Sequence, residues 1–481
     1  MSDVKKPDLD SLEACVSEAA RLVSAAAKEG SQVLVLTHFD TDGLASAGIL
    51  GTALSRLDGL MHIRAVDGLD EDVLSHAPLD AADLVVFADM GSGMLELLNS
   101  KVGKKALILD HHQPVGMPKE KFVHVNPHMF GFDGAREVSG AGMAYLVARA
   151  MDTRNTDLSA LGVVGALGDM QDRGEERSLH GLNSIIAEDG VKAGCLKLDK
   201  DLVLYGRETR PIHRALAYTS NPFLPGLSGH EDQCLALVAS ARISVKQDER
   251  WRTLADLSDE EKRDLLSAII QAVSSKGIAG KVALSLIGTV YTLPKEERGM
   301  PTRDAREFSS LLNACGRMNR QGLAVSICLG ERGSIMDEGQ EVLAEYRKTI
   351  AQHMSWVTET PDRVEELGAI YVVHGEGAID ENMTGSISTI LVSSGIFDPV
   401  KAVLVLATTS EGDLKISARG TEQLVISGVN LGKILQELTS RYGGSGGGHD
   451  IAAGGSVPAN SEKRFLKELD SEISRVLGER S

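Results

Sequence analysis

Four clusters of acidic residues and histidines fall within the first 172 residues of this 481-residue chain: His38-Phe39-Asp40-Thr41-Asp42-Gly43, Asp89-Met90-Gly91, Asp110-His111-His112 and Gly168-Asp169-Met170-Gln171-Asp172. Carboxylates and imidazoles are donors for divalent cations, and the absence of cysteine from all four clusters favours manganese or magnesium over a structural zinc. Two such ions about 3.5–4 Å apart need one carboxylate that bridges them and hard ligands on either side, and they can hold both the attacking and the leaving oxygen of a phosphate ester. Asp40 and Asp42 suit that arrangement. If His38, Asp40 and Asp42 continue a strand into a loop, their period-two spacing sends the side chains the same way, and Gly43 permits a tight turn into the next helix. Asp-Xaa-Asp-Gly on its own also suits a turn or a helix cap, so the weight rests on the four clusters in order.

Each cluster follows a short apolar run, at residues 33–36, 84–88, 106–109 and 161–167. That is the pattern of acids at the carboxyl ends of strands in an open parallel sheet, where ligands from separate strands converge on one crevice. Helical spacing over residues 9–29 predicts a leading helix, and residues 31–195 alternate strand and helix. The predicted fold is therefore α/β, with a doubly wound parallel-sheet catalytic domain over residues 1–195. Residues 196–345 read as an inserted, mainly helical region, in which Ser258 and Glu261 form a capping box. A charged helical linker leads into a smaller α/β C-terminal domain within residues 346–481.

The residues resemble those of the DHH phosphoesterases, a family named for the triplet seen here as Asp110-His111-His112. The first cluster, Asp89, the triplet followed by Val125-Asn126-Pro127, and Ser139-Gly140-Ala141-Gly142 look like the RecJ branch. The stretch 311–317, Leu-Leu-Asn-Ala-Cys-Gly-Arg, resembles one shared by archaeal RecJ-like proteins, and residues 443–455 resemble the signature of the DHH-associated substrate-binding domain. The resemblance implies that His38, Asp40 and Asp89 hold one metal and that Asp42, Asp89, His111 and Asp169 hold the other, with Asp89 as the bridge. Asp110 would orient a ligand and His112 would face the scissile phosphate. Bacterial RecJ proteins carry Asp where His38 stands, so metal preference can differ. In the fourth cluster Asp169 and Asp172 compete; the family pattern favours Asp169. The implied activity is a metal-dependent exonuclease on single-stranded DNA or RNA that releases mononucleotides, with the GINS complex and MCM helicase as further partners. A phosphodiesterase of short oligoribonucleotides or cyclic dinucleotides and a replication scaffold are the alternatives.

The run Gly443-Gly444-Ser445-Gly446-Gly447-Gly448-His449 reads as a phosphate-cradling loop, with Gly446, Gly447, Gly448 and His449 as contacts, a helix N-terminus behind it and a helix-like Ala452 to Gly455. Arg419 is placed to pair with a nucleic-acid phosphate. With 50 basic against 68 acidic residues the net charge is −18, so a polyanion is repelled at a distance and any path for it must be locally basic, with strong salt sensitivity. Arg242, Lys246, Arg250, Arg252, Arg317 and Arg320 are candidates for that path. Five scattered cysteines without a close pair predict reduced thiols. No apolar run approaches a membrane span and no secretory segment opens the chain, which predicts a cytoplasmic protein.

Overall fold

The structure is a computed structural model that describes residues 7–219, 224–274, 285–359, 361–375, 377–394 and 396–478. It divides into two compact units, one formed by residues up to 219 together with 225–343, the other essentially by residues from 344 onward.

The first unit opens with α1 (Leu9–Lys28), capped by Asp8, whose side chain accepts from Ser11 N at 3.0 Å. Leu12, Val16, Ala19, Ala20 and Val23 form its buried stripe. Five strands follow, β1 (Gln32–His38), β2 (Leu60–Val66), β3 (Leu84–Ala88), β4 (Lys105–Leu109) and β5 (Phe122–Val125), all parallel in the order β2-β1-β3-β4-β5. The chain leaves β1 for β2 on one side and returns to β3 on the other, so a topological switch point, where open sheets present their crevice, lies between β1 and β3.

On one face α3 (Glu71–His76) and α4 (Leu95–Lys101) bury Leu74, Leu95 and Leu98 against Leu34, Leu36, Val85, Phe87 and Ile108. α2 (Thr41–Ser55) and α5 (Gly140–Met151) pack with α1 around the alternate strand positions. α2 is buried from Thr41 through Gly51; it has no solvent stripe because α5, α6 (Ser159–Gly168) and two later helices surround it. Its small residues make that possible: a Cβ on Gly48 would overlap the side chain of Cys328. The run at residues 161–167, expected to be a strand, is the body of α6. It is apolar on every side because α6 is enclosed by α2, α5 and α7 (Leu182–Lys192), and a fully buried helix shows the same continuous apolar run as a buried strand.

The inserted region pairs β6 (Lys197–Leu202) antiparallel with β9 (Ile287–Thr292), and carries α8 (Ile212–Ala217), α9 (Glu231–Ser240), a short hairpin of β7 (Lys246–Gln247) and β8 (Arg250–Trp251), and α10 (Asp259–Ser274). The capping box is formed: Glu261 N donates to Ser258 Oγ at 3.2 Å and Ser258 N to Glu261 Oε2 at 2.8 Å. α11 (Ala305–Arg317) and α12 (Gln321–Cys328) then return to α2 and α6. α13 (Ser334–Glu359) leads out of this unit.

The second unit is a six-stranded sheet, β10 (Val364–Glu366), β11 (Ile370–His374), β12 (Ala402–Thr408), β13 (Asp413–Arg419), β14 (Ser445–Gly448) and β15 (Ala452–Pro458), in the order β10-β11-β12-β13-β15-β14. Only β11 and β12 run parallel. α14 (Thr384–Ser393), α15 (Glu422–Ile426), α16 (Leu431–Arg441) and α17 (Glu462–Gly478) complete it, with a core that includes Leu404, Ile416, Leu435, Phe465 and Leu469. The segment from Ala452 is thus a strand, paired with β13 and β14, and not a helix. No helix among the described residues is long and apolar enough to cross a membrane.

Candidate metal centre

Three of the four clusters sit at the carboxyl ends of β1, β3 and β4; the fourth sits at the end of α6. His38 is the last residue of β1. Asp40 is the N-cap of α2, accepting from Gly43 N at 3.1 Å, and Asp42 lies inside the first turn. Gly43 is therefore helical and makes no special turn; it is needed because a Cβ there would overlap the His38 carbonyl. Asp89 follows β3 at φ +60° and is 2% exposed, a left-handed conformation that an L-residue other than Gly holds only at a cost of about 1 kcal/mol or more. Its backbone N–H donates to Leu109 O at 2.8 Å.

Asp42 is fully buried and closes the start of α5: Gly140 N donates to its Oδ2 at 2.5 Å and Ala141 N to its Oδ1 at 3.0 Å. Ser139 takes the Gly142 N–H at 3.2 Å. Two residues distant in sequence thus share the N–H groups that a helix leaves exposed at its first turn, and the charge of Asp42 faces the positive end of α5.

Asp110 is saturated. Its Oδ1 accepts from His111 N (2.8 Å), His112 N (3.1 Å) and His112 Nδ1 (2.7 Å), and its Oδ2 from Ser92 N (2.8 Å). It turns His112 so that Nε2 is on the far side of the ring. Behind it Asn126 donates to the His112 carbonyl (2.8 Å) and to Ser92 Oγ (2.9 Å), which in turn lies 2.8 Å from His124 Nε2.

Around this frame the ligand-type atoms converge. His111 Nε2 lies 3.2 Å from Asp89 Oδ1, 3.3 Å from Asp169 Oδ2 and 3.6 Å from Asp42 Oδ2. His38 Nδ1 lies 3.0 Å from Asp40 Oδ2 and 3.8 Å from Asp89 Oδ2. One oxygen of Asp89 faces each group. Donor atoms within 4.8 Å of one another are offered by His38, Asp40 and Asp89, by Asp42, His111 and Asp169, and by Asp89, Asp110, His111 and His112. Such donor sets suit hard or borderline divalent cations.

The protonation pattern of the protein alone shows how crowded these charges are. Burial, with the charges of Asp42 and Asp40, pushes the Asp89 carboxyl well above its usual range. Burial and the Asp42 charge do the same to Asp169. Burial opposes a charged His111, yet its hydrogen bond to Asp89 and the neighbouring carboxylates raise its pKa well above that of free imidazole. His38 is likewise raised against its burial, mainly by Asp40. Asp110 is held low, His112 outweighing the effect of burial.

Asp172, the rival of Asp169, points elsewhere: it accepts from Arg306 Nη2 at 2.8 Å and lies 3.7 Å from Arg177. Among the basic candidates, Arg317 has its guanidinium 4.9 Å from the Phe39 ring centre and acts electrostatically on His38 and Asp40. Arg252 is taken by Glu261 (2.7 Å), Arg250 by Asp256 (3.0 Å), and Arg320 lies 3.9 Å from Glu338. In the second unit Arg419 donates to Thr389 Oγ1 (3.1 Å) and the Ala418 carbonyl (2.9 Å). Gly446, Gly447 and Gly448 form the edge strand β14 in place of the expected loop. A helix N-terminus does adjoin them, that of the preceding α16, but Leu431 N and Gly432 N are engaged by the carbonyls of Asp450 (3.0 Å) and His449 (2.9 Å). Sequence reasoning missed Gly134, whose carbonyl lies 2.7 Å from His111 Nδ1; a backbone acceptor leaves no side-chain signature.

The open α/β sheet thus gathers carboxylates and imidazoles where β1, β3 and β4 end. Family models match in chain order: the DHH family N-terminal domain at residues 32–165, the DHH-CID domain at 204–287 and the DHHA1 domain at 368–475. The chain belongs to the DHH superfamily, in its RecJ-like part. An uncharacterized protein of Methanocaldococcus jannaschii is 34% identical over 92% of this chain and 94% of its own length. The single-stranded-DNA-specific exonuclease RecJ of Thermus thermophilus is 28% identical over 36% of this chain and 27% of its own length. Its manganese-bound structure aligns over 96% of this chain and 55% of its own, at TM-score 0.56 and 17% identity. The CDC45 structure from Entamoeba histolytica aligns over 96% of this chain and 99% of its own, at TM-score 0.63 and 11% identity.

Proposed function

We propose that this protein is a two-metal phosphodiesterase that degrades single-stranded DNA or RNA from an end to mononucleotides. The observation that carries the reading is Asp89: a strained, buried carboxylate whose two oxygens face two separate donor groups. His38, Asp40 and Asp89 would hold one ion, and Asp42, Asp89, His111 and Asp169 the other, with manganese favoured and magnesium the alternative. Such ions supply a water-derived nucleophile at neutral pH and offset charge on the phosphoryl oxygens. The chain's own part is positioning: Asp110 aims His112, whose Nε2 would face the scissile phosphate. Arg419 and the segment from Gly446 to His449 would track the substrate backbone. RecJ of Thermus thermophilus, by its name a nuclease for single-stranded DNA, supports this substrate class. The likeness to CDC45 is one of fold, and association with GINS and MCM at a replication fork is the partner reading that accompanies it.

The test is digestion of end-labelled single-stranded DNA and RNA of about 20 nucleotides with Mn2+, beside blunt duplex and an Asp89→Ala control. Mononucleotide release that needs both Mn2+ and Asp89, and that spares duplex, supports the proposal. Hydrolysis confined to dinucleotides would move the assignment to small substrates, and no hydrolysis at all would leave a scaffold.

A further inference from the structure

The Gly134 carbonyl accepts from two side chains. One is His111, whose Nδ1 lies 2.7 Å away; the other is Gln171, whose Nε2 lies 3.0 Å away. Gln171 is wholly buried. Its Nε2 also lies 3.4 Å from the Val138 carbonyl, and its Oε1 accepts from Asn183 Nδ2 at 2.6 Å. Asn183 is 1% exposed.

A carbonyl only accepts. Gly134 therefore fixes every orientation in the chain: His111 must donate from Nδ1, Gln171 must turn its NH2 toward Gly134 and its oxygen toward Asn183, and Asn183 must turn its NH2 toward Gln171. No amide in the series can flip without placing two like groups together. With Nδ1 committed as donor, Nε2 is the ring nitrogen that faces Asp42, Asp89 and Asp169.

The backbone supplies the aim. α6 ends with Met170 N donating to Leu167 O (3.2 Å) and Gln171 N to Ala166 O (3.0 Å), with Met170 at φ +53°, the hydrogen-bond pattern of a Schellman turn. That one turn delivers Asp169 to the ligand cluster and, two residues on, Gln171 beneath the loop that backs His111. Gly134 is held in place sterically as well, since a Cβ there would overlap the His111 carbonyl and stand 2.9 Å from His128 Nε2.

We infer that Gln171 and Asn183 are positioning residues, a buried amide relay that holds the Gly134 carbonyl and through it presents His111 Nε2 to one of two metal sites. The inference rests on the two-metal reading above. The direct partner behind a metal-bound imidazole, here the Gly134 carbonyl, is worth about 10–100-fold in metal affinity; Gln171 and Asn183 stand one and two hydrogen bonds further back, so the relay should tune the ion held by Asp42, Asp89, His111 and Asp169 by up to about 10-fold. The ion held by His38, Asp40 and Asp89 should not feel it.

The experiment is titration of the full chain with Mn2+, followed by electron paramagnetic resonance and calorimetry. His38→Ala and His111→Ala assign the two sites. Gln171→Met keeps the side-chain length and removes the donor. Gln171→Met with Asn183→Leu removes both partners, so that no amide is left unpaired and the fold is spared. The expected result is two ions on the unsubstituted protein and, in both relay variants, a loss of up to about 10-fold at the His111 site alone, the lower end of what a direct partner is worth. Equal affinities in all proteins, or an equal fall at both sites with the loss of fold, would overturn the relay. Fewer than two ions on the unsubstituted protein would overturn the two-metal reading itself and the relay with it.

Discussion

Gly140 offers the sharpest test of how the two acidic groups are spaced. It is the first residue of α5 and has an ordinary helical backbone, so nothing in its conformation demands glycine; only space does. A Cβ there would lie 2.8 Å from both Asp89 Cβ and Asp89 Oδ1 and 2.9 Å from Asp42 Oδ2. Ordinary carbon contacts begin near about 3.5 Å, so Gly140→Ala forces these carboxylates, or α5, to shift by roughly 0.6–0.7 Å. Overpacking of this kind costs about 1–3 kcal/mol. Alanine returns up to about 1 kcal/mol of helix propensity, which leaves a net loss of about 0–3 kcal/mol. Metal binding should suffer far more, because ligand distances must hold to within about 0.2 Å. The expected outcome is a folded protein with a slightly lower denaturant midpoint and Mn2+ affinity reduced by at least about 10-fold, comparable to loss of an outer-shell partner. Chemical denaturation and Mn2+ titration read the two quantities separately. Undiminished binding of two ions by the Gly140→Ala variant would refute the claim that Asp89 and Asp42 are held at a fixed separation for metal.

Three further outcomes are expected. Asp89 and Asp169 carry raised pKa values in the protein alone, so above the ordinary carboxyl pKa the native state binds more protons than the unfolded one, and stability without metal falls as pH rises toward neutrality; Mn2+ must expel those protons, so its affinity and the melting-temperature rise it confers should grow with pH, and a pH-independent rise from acid to neutral would contradict this. Asp89→Asn mimics the protonated carboxyl, and should abolish Mn2+ stabilisation while leaving the metal-free midpoint equal or higher at neutral pH; a strongly destabilised Asn variant would show that Asp89 serves the fold and not the ion. Asp172→Ala leaves Arg306 (side chain 19% exposed) and Arg177 without their carboxylate, an expected loss of about 1–3 kcal/mol between the values for exposed and buried pairs, with both ions still bound, whereas Asp169→Ala should lose one ion; the reverse stoichiometry would exchange their roles.

The parallel sheet was readable because residues 33–36, 84–88 and 106–109 are apolar on both faces and end in acids, which few other arrangements of chain produce. α6 was not, and the reason lies in what surrounds it. Its run Ser-Ala-Leu-Gly-Val-Val-Gly-Ala-Leu-Gly is buried on every side, so the alternation that separates strand from helix is erased. One signal survived: glycines at 162, 165 and 168 recur every third residue and so lie on one helical face, where a Cβ would meet, in turn, Ile186, Asp42 with Ala141, and Thr41. That spacing marks close helix packing and has no use in a strand. Between Asp169 and Asp172 the spacing was silent and only the resemblance favoured Asp169. Both satisfy a spacing rule, but left-handed Met170 breaks the helix between them, so one carboxylate enters the crevice while the other meets Arg306. For the C-terminal glycines the expected loop is instead an edge strand. Their lack of side chains reads as a loop for an anion, whereas Gly448 is required because a Cβ would overlap the Ala452 carbonyl, and Gly446 because one would stand 2.8 Å from Thr439 Oγ1 on α16. At these two positions glycine records how closely another backbone or side chain approaches, whereas a Cβ on Gly447 would meet open space. Composition alone cannot say whether that neighbour is a ligand, a helix or a strand, and Gly140, wedged between Asp42 and Asp89, has nothing but the resemblance of residues 139–142 to mark it.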